Sequence, residues 1–169
     1  ARDLVPVLSY LRLRGRCRSC KAVISWQYPV VELATGFLFV VALGGGSEWM
    51  QIVRDWVFVS YLVIIFVYDL RHMLIIDRFT IPAMIFAVIV NLWLGVVPAW
   101  SILAGGAALA GFFGLQFAIS KGLWVGGGDI RMGALMGFML GLPQGLVALF
   151  IAYVLGAIVG VGMMVSGKA

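Results

Sequence analysis

The chain has 169 residues, 63% of them hydrophobic and only 11% charged, against roughly 25% charged in a typical soluble domain. That balance excludes a water-soluble globular domain, and the length leaves no room for a large second domain beside a membrane bundle. The net charge of +5 does not point to nucleic acid, because the basic residues gather at the ends of apolar segments rather than along one free stripe.

Residues 1–28 form a basic, cysteine-containing segment, read as part of a larger cytoplasmic loop. Its start, ARDLVPVLSYLRLRGRCRSC, has no apolar stretch ahead of a small-residue cleavage site, so no signal peptide is expected. The missing initiator Met points to a trimmed product. Cys17 and Cys20 make one C-x-x-C pair. On a cytoplasmic loop such a pair suits zinc or redox chemistry better than a structural disulfide. A structural zinc takes four ligands, so this pair is half of a possible site. Arg12, Arg14, Arg16, Arg18 and Lys21 surround it, a cluster expected to hold anionic lipid headgroups at roughly 1 kcal/mol per basic residue.

Residues 29–169 read as a membrane bundle. A spanning helix needs about 20 mostly apolar residues, and six candidates follow in order: 29–43, 50–68, 80–97, 100–120, 130–142 and 144–165. The first is short and contains Glu32; the fifth is also short. The expectation is an all-α, polytopic membrane helix bundle of about six transmembrane helices. With the N-terminus inside, six crossings return the C-terminus to the same side. Of the 12 basic residues, eleven, from Arg2 to Lys168, then face inward and only Arg54 faces outward, a strong positive-inside bias. The glycines concentrated in the later segments are read mainly as close-packing positions.

That topology puts two acids on one face. Asp69 ends the apolar run VFVSYLVIIFVYD, and Asp129 closes VGGGD. An ionised carboxylate at the edge of hydrocarbon is costly, which makes each a functional-site hypothesis. Two carboxylates sharing a site cannot both ionise easily, and a water between them can be deprotonated and delivered without a metal. Each acid also has an ordinary explanation. Asp129, after Gly126, Gly127 and Gly128, can cap a helix; Asp69 can pair with Arg71 in solvent, worth about 0–1 kcal/mol. Asp77, just before the third span, is either a rival catalytic acid or a capping residue. Glu32 either serves chemistry or favours a helix N-terminus through the dipole. His72, the one histidine, reads as a solvated loop residue.

Four blocks in order resemble the type IV prepilin peptidases. DLVPVLSYLRLRGRCRSCKAVIS is similar to the cytoplasmic loop of that family through its second C-x-x-C. YPVVELATG is similar to its Tyr-Pro…Glu-Leu motif, YDLRHMLIIDRFTIP to its first aspartate block, and GGGDIRMGALMGFMLG to its G-x-G-D block. The resemblance implies a G-x-G-D-type membrane aspartic endopeptidase with Asp69 and Asp129 catalytic, the Gly126–Gly128 loop beside them, and Asp77 not catalytic. It implies prepilin or pseudopilin substrates cleaved at the cytoplasmic face of the bacterial inner membrane, with no cofactor for proteolysis. It also implies N-methylation from S-adenosylmethionine, in which Glu32 has a possible substrate or methyl-transfer role, and a structural zinc to which Cys17 and Cys20 would contribute. Ile76 and Arg131 depart from residues common in the family, Pro and Lys, without removing a catalytic group. The earlier helix and first C-x-x-C of the long family members are absent from this chain. The competing classes are a small transporter or proton relay, which predicts acids near the midplane and inverted repeats, and a non-catalytic prepilin-binding scaffold.

Overall fold

The computed structural model describes residues 5, 7–45 and 48–167; Arg2 and Lys168 of the inward-facing basic set lie outside them. Six α-helices account for nearly all the regular structure: α1 Leu8–Arg12, α2 Gln27–Leu43, α3 Trp49–His72, α4 Asp77–Leu94, α5 Ala99–Ser120 and α6 Gly127–Val165. Four of these, α3 to α6, are long and apolar enough to cross a membrane, and α2 is a shorter apolar helix of 17 residues. The chain divides into two compact units, Ala1–Met73 and Leu74–Ala169.

In the first unit, α1 leads into a tight hairpin. Arg16 and Val23 form an antiparallel bridge, and the Cys17 N–H donates to the Ala22 carbonyl at 2.9 Å. Helix α2 packs on α3 through Trp56, whose indole N–H donates to the Phe39 carbonyl at 3.0 Å while its ring stacks on Phe39. In an apolar medium a buried indole N–H without a partner is costly, so this bond fixes which face of α3 meets α2.

In the second unit, α6 carries the fifth and sixth expected spans as two arms of one element. Its 39 residues are interrupted at Gly141, where φ is 76° and ψ is −179°. Along a straight helix, Gly137 and Gly145 would stand about 12 Å apart. Instead a Cβ on Gly145 would lie 3.7 Å from the Gly137 Cα, so the chain folds back on itself. The first arm runs antiparallel to α5: Gly141 meets Ser101, Gly137 meets Gly105, and Gly133 meets Leu109. The second arm runs parallel to α5, with Gly145 against Leu109 and Tyr153 bonded to Gln116. Gly133, Gly137, Gly141 and Gly145 recur every four residues, the small-x-x-x-small pattern that lets membrane helices touch backbone to backbone. The packing reading of these glycines is correct. A Cβ on Gly137 would sit 2.3 Å from the Gly105 carbonyl, so no side chain fits.

A reversal in hydrocarbon strands the last carbonyls of one arm and the first N–H groups of the next. Asn91 from α4, fully buried, donates to the carbonyls of Phe138 (2.9 Å) and Met139 (3.1 Å). Ser101 from α5 accepts the Leu142 N–H at 3.0 Å. Pro143 has no N–H to satisfy.

Candidate active site

Asp129 stands at the third position of α6, one turn inside the helix rather than at its cap; the cap is Gly126. Its Oδ2 accepts the Gly126 N–H at 2.8 Å, the acid half of a capping box. The capping contact and a catalytic role are therefore compatible, since the bond engages one oxygen. The helix N-terminus favours negative charge there by about 0.3–1 kcal/mol. The side chain is half-buried, and Gly126 and Gly127 are exposed. Gly127 has open space around a Cβ position, whereas a Cβ on Gly128 would meet Ile75 at 2.9 Å.

Asp77 begins α4, with Ile76 as the cap, so it is a first-turn acid and not the capping residue. Its carboxylate is ion-paired with Arg131, two residues past Asp129. That contact ties the start of α4 to the start of α6. Arg131 was visible in the sequence only as a departure from Lys; its partner was not.

Asp69 belongs to the first unit, in the last turn of α3, and is half-buried. The expected alternative, a pair with Arg71, is not formed. Arg71 Nε donates to Gln27 at 2.8 Å, and its guanidinium lies over the Tyr28 ring. Among the described residues, no hydrogen bond or ion pair engages the Asp69 carboxylate. The helix ends just beyond it at Met73, in the left-handed region at φ 49°.

Glu32 is well past the first turn of α2, which holds no acid, so the dipole explanation does not apply. Its Oε2 accepts the Val7 N–H at 2.7 Å. This bond holds Val7 at φ 59°, a conformation a β-branched residue rarely adopts. Glu32 borders a cavity of about 320 Å³ with Tyr10, Cys17, Arg18 and Tyr28. Cys17 and Cys20 are thiols rather than a disulfide. Among the described residues, no group of three or more His, Cys, Asp or Glu could hold a metal ion. Two thiols are half of a tetrahedral zinc set, so the donors present do not by themselves make a zinc site.

Comparison with known proteins identifies the family of the chain. The family described as the type IV leader peptidase family matches residues 56–161, and the bacterial peptidase A24 N-terminal domain matches residues 1–44. The prepilin leader peptidase/N-methyltransferase of Bacillus subtilis (strain 168) is 35% identical, over 98% of this chain and 66% of that protein. That of Neisseria gonorrhoeae is 32% identical, over 96% of this chain and 58% of its own length. The chain thus spans less than two thirds of the curated relatives it matches. No solved structure matches. Helices of this length and apolarity define a polytopic integral membrane protein. The chain belongs to the type IV leader peptidase family.

Proposed function

We propose that this chain carries the proteolytic core of a prepilin peptidase, with Asp69 and Asp129 as its catalytic pair. The observation that carries the choice is the unlike state of the two neighbouring acids. Asp77 is neutralised by Arg131, whereas no partner among the described residues engages Asp69. Family membership supports the substrate class, prepilins or pseudopilins, as the names of the relatives do for those proteins. One carboxylate, ionised, takes a proton from water; the resulting hydroxide adds to the scissile carbonyl. The other, protonated, gives its proton to the leaving amine as the C–N bond breaks. For this the two carboxyl groups come within about 3–5 Å in the active state, the range over which like charges couple strongly. The site faces the cytoplasm of a bacterial inner membrane, with both ends of the chain on that side, as the positive-inside bias implies.

The second activity in the relatives' names, N-methylation, belongs to the same reading at the level of the whole protein. The cavity at Glu32 is lined by one carboxylate, two phenols and the Arg18 cation. Glu32 Oε1 is the lining group suited to an amine such as the newly cut N-terminus, Oε2 being bonded to the Val7 N–H. The cavity lacks, among the described residues, a second acid for a ribose, so S-adenosylmethionine is not assigned to it and no transfer step is derived. Zinc likewise enters no step.

The test is cleavage of a purified prepilin in detergent. Asp69→Asn and Asp129→Asn should each lower the rate by roughly 10²–10⁴-fold or more at normal expression; full cleavage by either sinks the proposal. Mass spectrometry of a coexpressed prepilin reads a leader-sized loss for the peptidase and an added methyl for the second activity. An unprocessed prepilin would favour the scaffold or transporter reading.

A further inference from the structure

The hairpin that follows α1 carries a second cavity that the proteolytic reading leaves unused. Its volume is about 400 Å³, and it is lined by Leu13, Arg14, Arg16, Cys17 and Lys21. Three of its five lining residues are cations, and no carboxylate lines it. None of the three takes part in an ion pair among the described residues. The cations are not on a loose tail. Gly15 is buried against the Tyr10 ring at φ 69°, and its N–H donates to the Tyr10 carbonyl at 2.9 Å. Its carbonyl accepts the Ile24 N–H at 2.8 Å, and the Arg16–Val23 bridge closes the hairpin. Arg14 and Lys21 hold left-handed backbone at φ 51° and 57°. The hairpin thus sets three exposed positive side chains around one space, where their summed potential favours an anion.

Its position says which anion. The Tyr10 ring lies 5.4 Å from that of Trp26, the residue that caps α2. Trp26 and Tyr28 are exposed at the start of this apolar helix, the placement of an interfacial aromatic belt. The cavity is therefore tied to headgroup depth. We propose that Arg14, Arg16 and Lys21 form a binding site for the phosphate headgroup of an anionic lipid.

The experiment uses the full chain in detergent, with melting temperature followed as phosphatidylglycerol or phosphatidylcholine is added; a ligand of the folded state raises it. Phosphatidylglycerol should raise the melting temperature, and phosphatidylcholine should not. At about fivefold in affinity per cation, Arg14→Gln/Arg16→Gln should raise the phosphatidylglycerol concentration needed for a given melting-temperature rise roughly 25-fold. Arg12→Gln/Arg18→Gln, outside this cavity, should raise that concentration at least several-fold less. Equal increases would mean a diffuse positive surface and overturn the site. An equal effect from inorganic phosphate would assign the cavity to a soluble anion and overturn the lipid assignment. If the Gln pair does not fold, native mass spectrometry of the unaltered chain decides: retention of phosphatidylglycerol over phosphatidylcholine supports the site, and no preference overturns it.

Discussion

The two ends of the first arm of α6 differ in almost every physical respect. At Gly141 the backbones of α5 and α6 touch, and side chains from α4 and α5 complete the hydrogen bonds of a reversal. At Gly126–Asp129 the glycines are largely exposed, and the polar contacts are one capping bond and a surface ion pair. One end has almost no freedom left and the other retains some. Stability is concentrated away from Asp129, and the backbone and carboxylate at this end are left partly exposed.

The sharpest way to break that contrast is Gly137→Leu. Overpacking typically costs about 1–3 kcal/mol, and here the clash is with backbone, so loss of the folded protein is expected in detergent size-exclusion chromatography. Asn91→Leu should come next: it strands two carbonyls and should cost about 1–3 kcal/mol, read as a lowered melting temperature with the cleavage mechanism intact in the fraction that folds. Asp77→Asn removes an exposed pair worth about 0–1 kcal/mol and should retain cleavage; a folded, inactive variant would show that the wrong acid of the first block was chosen. The smallest stability effect belongs to Gly127→Ala, where a Cβ has open space and stability should change by no more than about 1 kcal/mol, the helix preference of Ala over Gly. A large drop in its cleavage rate would then report substrate approach rather than folding.

Much of the bundle was legible because apolar length and charge placement are local properties. The segments at 50–68, 80–97 and 100–120 fall on α3, α4 and α5, with ends shifted by a few residues. The segments at 130–142 and 144–165 fall on the two arms of α6, which part at Gly141, within a residue or two of the Leu142-Pro143 that separated them in the sequence. The partners of that break were not legible. Asn91 stood out as a lone amide in VIVNLWL, but nothing in its neighbourhood names carbonyls 47 and 48 positions away. The same holds for Arg131 and Asp77, 54 positions apart, and for Glu32 and Val7, 25 apart. Asp129 was placed one turn too early because an acid after three glycines reads as a cap, and the helix in fact begins on the glycines.

The reversal at Gly141 also sets a vertical scale. At 1.5 Å per residue the two arms, 127–140 and 142–165, rise about 21 Å and 36 Å, against a hydrocarbon core of about 30 Å. The long arm fits by tilting; the short one does not reach across. With the reversal at one boundary of the hydrocarbon, Asp129 stops several ångströms short of the other. Either the bilayer thins beside the short arm or water fills a recess down to the carboxylate. The depth of the Asp129 carboxylate thereby depends on the acyl-chain length of the surrounding lipid, through the mismatch between the two arms of α6.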